Sequence, residues 1–196
     1  MSIDRIDSMF HPKAVAVVEA SEQPGSLGKA VMQNLSASGF DGSIFAVNAR
    51  QSSIMGQRAY ADLQHIETPV DLVVVAGPMK TVPVIVAACA KAGIPGAVIV
   101  STGCRQTSPA GRQIEKKILN AAADGKMRII GPHGLGIMCA ASKLNASLAP
   151  RMPLFGKLAF VSQSRGICSA ILDYSAKEKI GFSHLIGLGS MQDVDF

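Results

Sequence analysis

Short runs of branched apolar residues alternate with amphipathic segments of helical length along most of this chain. Residues 71–75 and 96–100 are nearly continuous branched runs, a pattern typical of strands covered on both faces in a parallel sheet. Between them, residues 80–92 have the length of a helix that ends at Gly93. Repeated units of this kind predict an α/β fold, a Rossmann-like doubly wound parallel sheet with right-handed connections. Its ligand should lie over the carboxyl ends of the strands.

Further elements extend this pattern in both directions. We predict strands at Ala14–Val18, Ser43–Val47 and 127–130, and helices at 29–35 and 109–123, the latter capped by Ser108. Residues 145–153 contain two prolines and suggest a linker or a crossing loop. A further unit follows, with a strand at 157–161, a helix at 167–177 and a strand at 182–186. We therefore expect a first domain at residues 1–150. Residues 151–196 are then either the truncated beginning of a second α/β domain or a unit that pairs with the first sheet.

Composition narrows the class of protein. The chain has 196 residues, of which 48% are hydrophobic and 17% are charged, enough to bury a substantial core. It lacks an apolar run near the roughly 20 residues that span a bilayer and begins without a secretory pattern, so we expect a cytoplasmic protein with no membrane contact. The net charge of +5 is dispersed, and the chain has no tryptophan and two tyrosines. This argues against nucleic-acid binding and favours a polyanionic small ligand.

The loop after the first strand has the composition of a phosphate-binding turn. It contains Gly25, Ser26 and Gly28 and leads into a helical segment. Glycine lets the backbone approach an anion closely, and the N–H groups at the start of a helix face that anion. Short turns also use glycine and serine for geometric reasons alone, so the end of the next strand is needed to choose between these interpretations.

The second strand runs into Asn48, Ala49 and Arg50. A fold that binds NAD carries an acidic residue here, about 20 residues after the glycines, for the ribose 2′-hydroxyl. A neutral amide and a cation suit a ribose that carries an extra phosphate. Coenzyme A or NADPH therefore fits this position better than NAD.

Small and hydroxylic residues follow the other strands as well. They are Ala20, Ser21, Ala76, Gly77, Pro78, Ser101, Thr102 and residues 131–136. Each could simply form a turn, but together they would admit a flat adenine and a phosphate chain along one edge of the sheet. This agreement across strand ends favours a ligand site.

Eight segments in a fixed order point to a known family. They are residues 12–18, 20–28, 128–132, 135–137, 144–147, 162–164, 170–173 and 181–183. In them the chain resembles the NDP-forming acyl-CoA synthetases: the N-terminal CoA-binding domain of ADP-forming acetate–CoA ligases and of the succinyl-CoA synthetase α subunit, followed by the beginning of their flavodoxin-like domain. The similarity covers essentially the whole chain. The synthetase-like half of protein lysine acetyltransferases is also similar.

The resemblance implies coenzyme A or acyl-CoA as the ligand and assigns residues to it. The implied cofactor-binding residues are Ala20, Ser21, Gly25, Ser26, Leu27, Gly28, Asn48, Arg50, Ala76, Gly77, Pro78, Ser101, Thr102, Pro132 and His133. Ser162 and Ser164 match the helix start at which the family holds phosphate. In the complete enzyme, acyl-CoA, ADP and phosphate interconvert with acid, CoA and ATP. In that family, ATP or ADP and Mg bind an ATP-grasp region on a β-type subunit or a fused domain. The resemblance is also compatible with a homo-oligomer of this chain.

Three positions depart from the family pattern. Glu19 replaces a glycine, and its carboxylate would repel a pyrophosphate if it pointed inward. His133 replaces an asparagine, and Arg165 adds a cation where the family often has glycine. We expect Glu19→Gly to strengthen CoA binding, and bulky acids at Ser21 or Gly28 to abolish it while the fold stays intact.

We expect no catalytic residue in this chain. The family's phosphohistidine lies further downstream, and His11, His65 and His184 lack its flanking pattern. The four cysteines, at positions 89, 104, 139 and 168, show no metal-ligand spacing, so no metal site is expected. Cys104 follows a strand-end loop and is the best candidate of the four for exposure, but packing in the core or at its rim is the favoured interpretation.

Two other functions stay open at this point. The chain could be a non-catalytic sensor of CoA or acyl-CoA, such as the synthetase-like half of a lysine acetyltransferase. It could also be an NADPH-binding oxidoreductase domain that uses Arg50 for the 2′-phosphate. The second is weakened because no substrate domain or hydride-transfer residue is recognisable.

Overall fold

The computed structural model describes residues 4–103 and 108–196, so the expectation for Cys104 lies outside the described residues. In chain order its elements are α1 (Asp4–Phe10), β1 (Ala14–Val18), α2 (Leu27–Ala37), β2 (Ser43–Val47), β3 (Ser53–Ile54), β4 (Gln57–Tyr60), a 3₁₀ turn (Leu63–His65), β5 (Leu72–Val75), α3 (Val82–Lys91), β6 (Gly96–Ile99), α4 (Pro109–Asp124), β7 (Arg128–Ile130), β8 (Gly136–Cys139), β9 (Leu144–Ser147), β10 (Leu154–Ser162), α5 (Arg165–Lys177) and β11 (Gly181–Gly187).

The first sheet has seven strands in the order β3-β4-β2-β1-β5-β6-β7. From β4 to β7 every neighbouring pair is parallel, and only the short β3 runs antiparallel to its neighbour. The branched runs at β1, β5 and β6 are buried along their whole length. The predicted doubly wound, mostly parallel sheet is confirmed.

Helices cover both faces of this sheet. Alternate residues of β1 point to opposite sides, as the period of a strand requires: Val15 and Val17 pack in one cluster with Val31 and Leu35 of α2. Ala16 lies in the other cluster, with residues of α3 and α4. Ser108 caps α4 as predicted, since its Oγ accepts the N–H of Gly111 at 3.0 Å.

A second sheet has four strands in the order β10-β11-β8-β9. β10 and β11 are parallel, whereas β11 with β8 and β8 with β9 are antiparallel. The last predicted unit therefore pairs with β8, not with the first sheet. The domain boundary at residue 150 stays a prediction, and this sheet contains strands from both sides of it.

The predicted linker at 145–153 is partly wrong, because residues 145–147 belong to strand β9 of the second sheet. Asn145 and Ser147 are buried there, and the Ser147 hydroxyl donates to Asn145 Oδ1 at 2.6 Å. Asn34 of α2 donates its amide to the Ser147 carbonyl at 2.8 Å. These bonds satisfy the polar atoms of a strand that its sequence alone does not identify.

The edge strand β10 carries large exposed apolar side chains. Phe155 is 75% exposed and Leu158 is 56% exposed. No helix in the described part of the chain has the length and apolar character needed to cross a membrane.

Candidate functional site

A polar cleft of about 790 Å³ opens at the carboxyl ends of β1, β2 and β5. The chain leaves β1 for β2 on one side and returns to β5 on the other, so the cleft lies where the strand order reverses, the usual ligand position in such sheets. Its lining includes eight of the predicted residues. These are Ser21, Ser26, Gly28, Asn48, Arg50, Ala76, Gly77 and Pro78.

The N-terminus of α2 forms one wall of this cleft. Ser26 caps the helix, because its Oγ accepts the N–H of Lys29 at 3.2 Å and donates to the Gln23 carbonyl at 2.8 Å. A Cβ at Gly28 would lie 2.1 Å from the backbone oxygen of Glu19. Glycine is therefore required for the helix to approach the end of β1. The expectation that a bulky acid at Gly28 leaves the fold intact disagrees with this geometry, since the backbone would have to move.

Local hydrogen bonds brace the loops on either side of the helix. The Ser21 Oγ accepts the N–H of Gln23 at 3.0 Å. The Asn48 amide donates to the Ala20 carbonyl at 2.8 Å, and its Oδ1 accepts the N–H of Arg50 at 2.8 Å. Asn48 thus ties the end of β2 to the loop after β1, while the Arg50 side chain is exposed at the cleft.

Glu19 has an unusual backbone for its residue type. Its φ is 62°, in the left-handed region that glycine adopts most easily. A Cβ at Gly77 would lie 2.7 Å from Glu19 Cγ, so the Glu19 side chain crosses over Gly77 at the cleft. The carboxylate of Glu22 accepts the N–H of Met55 and fastens this loop to the β3–β4 turn. Two carboxylates and the guanidinium of Arg50 therefore line the cleft.

An apolar depression of about 470 Å³ adjoins the cleft, and sequence reasoning did not predict it. It shares Glu19, Asn48 and Ala49 with the cleft and is also lined by Leu63, Val84 and Ile85. Val84 is 73% exposed on α3. A valine at position 84 could have indicated an apolar subsite only if the solvent-facing side of α3 had been known beforehand.

The remaining predicted residues lie apart from the cleft lining. Ala20 is buried, and Gly25 and Leu27 line a neighbouring depression that shares Ser26 with the cleft. Ser101 is fully buried and donates to the Val75 carbonyl at 3.3 Å, whereas Thr102 is exposed. Pro132 is buried and follows a cis peptide bond.

Ser162 and Ser164 form the turn that enters α5. Ser164 caps this helix by accepting the N–H of Ile167 at 3.3 Å, and Ser162 Oγ accepts the N–H of Ser164 at 3.2 Å. The predicted helix start is thus present. The Arg165 guanidinium points its hydrogen bonds away from this turn. It donates to the Gly134 carbonyl at 2.9 Å and to the Val100 carbonyl at 3.4 Å. It therefore joins α5 to the loops after β6 and β7.

His133 lies in the loop between β7 and β8, where the charges of Glu115 and Arg165 act on it. Its backbone φ is 66°, and its N–H donates to the Ser101 carbonyl at 3.3 Å. Burial lowers the pKa of the imidazole below its usual value; the carboxylate of Glu115 opposes this shift and the charge of Arg165 adds to it. Glu115 is itself buried and accepts the Ser190 hydroxyl at 2.9 Å.

Comparison with known proteins identifies the family. The chain matches the CoA binding domain over residues 13–140 and the succinyl-CoA ligase like flavodoxin domain over residues 155–196. It is 34% identical over 194 residues to the acetate–CoA ligase (ADP-forming) I subunit alpha of Pyrococcus furiosus, covering 97% of this chain and 42% of that protein. The corresponding II subunit alpha of the same organism is 36% identical over 191 residues, which cover 97% of this chain and 41% of that protein.

A solved structure shows the same fold. Dinucleotide forming acetyl-coenzyme A synthetase 1 of Ca. Korarchaeum cryptofilum, in complex with phosphate and ADP, superposes with a TM-score of 0.92 at 31% identity, over 97% of this chain and 40% of that one. The chain thus spans less than half the length of these relatives. The resemblance predicted from the sequence is confirmed, and the chain belongs to the CoA binding domain family.

Proposed function

We propose that this chain binds coenzyme A in the cleft at the carboxyl ends of β1, β2 and β5. The observation that carries the proposal is the capped N-terminus of α2, which faces the cleft beside the exposed Arg50 in a member of the CoA binding domain family. The backbone N–H groups at the first turn of a helix and a nearby guanidinium are both suited to phosphate groups.

The parts of coenzyme A would take different regions of the site. The phosphates would lie against the N–H group of Gly28 in the first turn of α2 and near Arg50. The pantetheine arm would pass beside Ala76 and Pro78, since the Glu19 side chain covers Gly77. The adenine ring would lie in the adjoining depression of about 470 Å³, against Leu63, Val84 and Ile85.

Glu19 would weaken this binding. Its carboxylate lies at the same cleft, and like charges a few ångströms apart repel each other by about 1 kcal/mol even when water screens them. The helix N-terminus and Arg50 line the same cleft and would oppose this repulsion.

For the complete protein, we propose the reaction of an ADP-forming acyl-CoA ligase, in which acyl-CoA, ADP and phosphate interconvert with acid, CoA and ATP. Coenzyme A supplies the thiol that attacks the acyl carbon. Within this chain, the turn at Ser162 and Ser164 would hold phosphate at the start of α5. ATP or ADP with Mg would bind an ATP-grasp region outside this chain, and we assign no catalytic residue here.

The test is isothermal titration with CoA, 3′-dephospho-CoA, NADPH and NAD in parallel at two salt concentrations. We expect CoA to bind best and to bind more weakly at high salt. Arg50→Gln should lower CoA affinity about tenfold, the usual effect of a charged hydrogen bond, and a smaller loss with 3′-dephospho-CoA would place Arg50 at the ribose phosphate. Arg151→Gln, an exposed arginine paired with Asp173, is the matched control. NADPH binding that CoA does not displace would overturn the proposal.

A further inference from the structure

Three metal-binding side chains from distant parts of the sequence meet at the junction of the two sheets. His11 follows α1, Cys139 ends β8 and His184 lies in β11. One ligand atom from each, an imidazole nitrogen or the sulfur, lies within 4.8 Å of the other two. The spacing of cysteines and histidines in the sequence does not predict this cluster.

Strand pairing and a hydrogen bond hold the three residues in place. Cys139 and His184 are directly opposite each other in the antiparallel β8–β11 ladder. The segment with His11 is fastened by the bond from the Ser142 hydroxyl to the Phe10 carbonyl at 2.8 Å, and the Phe10 ring contacts the His184 ring edge-on with centroids 5.1 Å apart. The cluster is therefore part of the sheet junction and does not depend on a long loop.

A second observation concerns the orientation of His184. The Ser183 hydroxyl donates its only proton to the Leu158 carbonyl at 3.1 Å and lies 3.2 Å from His184 Nδ1. With its proton on the Leu158 carbonyl, the hydroxyl would accept from Nδ1–H, which is the tautomer that leaves a lone pair on Nε2. Metal-binding histidines are commonly fixed in this way, with one ring nitrogen donating to a neighbour and the other facing the metal.

We propose that His11, Cys139 and His184 bind one Zn²⁺ ion. Two imidazoles and one thiolate are a borderline-soft ligand set that suits this cation. Zn–N distances of about 2.0–2.1 Å and a Zn–S distance of about 2.3 Å require tetrahedral ligands roughly 3.3–3.7 Å apart, so small side-chain rotations within the observed 4.8 Å suffice. Cys139 is fully buried and His11 is exposed, so the fourth position opens to water on the His11 side.

Such an ion would connect the start of the first sheet to the second sheet. His11 lies in the connection between α1 and β1, whereas both other ligands belong to the second sheet. A cation that binds only the folded chain stabilises it by mass action. We therefore expect Zn²⁺ to raise the melting temperature and to do so without CoA.

The experiment uses tag-free, chelator-treated protein titrated with Zn²⁺, and with Co²⁺ as a spectroscopic probe. We expect one ion per chain and a thiolate-to-cobalt charge-transfer band in the near ultraviolet. His11→Ala, at an exposed position that should fold normally, should weaken Zn²⁺ binding by more than about tenfold, since the loss of an outer partner alone costs about 10–100-fold. Cys139→Ser should remove the cobalt band.

Two matched variants control for other donors. His65→Ala removes an exposed histidine that pairs with Asp62, and Cys168→Ser removes another buried cysteine; both should bind Zn²⁺ like the unchanged chain. Equal Zn²⁺ affinity in the unchanged chain and in His11→Ala, or a cobalt band that survives Cys139→Ser, would overturn the assignment.

Discussion

The side chain of Glu19 lies over Gly77, so that a Cβ added at Gly77 would be 2.7 Å from Glu19 Cγ. The two residues follow β1 and β5, the neighbouring strands at which the strand order of the first sheet reverses. The carboxylate is carried by a backbone with a φ of 62°. Glu19 thus places both a negative charge and a strained conformation at the proposed phosphate site.

Glu19→Gly should improve both CoA affinity and stability. Removal of the charge should tighten CoA binding about fivefold, or ~1 kcal/mol, and relief of the left-handed conformation should raise the free energy of unfolding by about 0.5–1 kcal/mol. Titration calorimetry and urea denaturation measure the two effects. Glu19→Gln should show only the first effect, and Lys126→Gly, with a φ of 53° away from the cleft, only the second. Unchanged CoA affinity in Glu19→Gly would mean that the carboxylate does not face the ligand.

Gly28→Ala should destabilise the protein. Its Cβ would meet the Glu19 carbonyl oxygen at 2.1 Å, and crowding of this kind costs about 1–3 kcal/mol. Gly166→Ala is the matched control, because its Cβ has only Ser164 Oγ nearby, at 3.8 Å. In helix α5 this control should gain about 0.5–1 kcal/mol. Urea denaturation midpoints decide the matter, and equal stability of Gly28→Ala and the unchanged chain would contradict the close packing of α2 on β1.

Asp193→Ala should also lower stability. Asp193 Oδ2 accepts both the Arg128 Nε at 2.9 Å and the Ile129 N–H at 2.7 Å, and both charged side chains are largely buried. Removal of the carboxylate leaves donors without their partner, at a cost of about 2–4 kcal/mol. The exposed Arg151–Asp173 pair, 3.7 Å apart, offers the comparison, since Asp173→Ala should change stability by less than about 1 kcal/mol. Similar losses for the two variants would refute the importance of burial here.

His133 should make stability depend on pH. Burial lowers the pKa of its imidazole in the folded chain, so the unfolded chain binds more protons below the ordinary pKa of about 6.5. Stability contributed by His133 is therefore complete above that value and is lost as pH falls through the folded pKa.

The variant His133→Asn should reduce this loss, and asparagine also tolerates the φ of 66° at this position. The measurement is the change in unfolding free energy between about pH 8 and about pH 5.5. The exposed His65→Asn is the control. An equal pH dependence in His133→Asn and the unchanged chain would show that other groups cause it.

Local patterns in the sequence were sufficient for five strands of the first sheet, whereas β3 and β4 were not predicted. The branched runs at β1, β5 and β6 have no polar face, so they can only be strands covered on both sides, and parallel strands place their carboxyl ends at one edge. That reasoning correctly grouped Ser21, Arg50 and Gly77 at one cleft. It also predicted Ser101 and Thr102 at this site, but the structure leaves both outside the lining of the cleft.

Tertiary pairing decided the second sheet. The segment that becomes β9 contains Asn145 and Ser147, which read as a loop until their hydrogen-bond partners inside the protein are known. Likewise, the sequence predicts the Arg165 cation at the phosphate turn. Its long side chain instead donates hydrogen bonds to the carbonyls of Gly134 and Val100, which only the tertiary structure brings near.

The sequence by itself determined the parallel sheet, the glycine-containing loop at the start of α2 and the family resemblance, because each depends on residues that are close along the chain. The tertiary structure alone decided which of these residues share a cleft, that Glu19 lies over Gly77, and that His11, Cys139 and His184 meet. Those relationships depend on strand pairing and packing between distant segments, and no local spacing of residues encodes such distances.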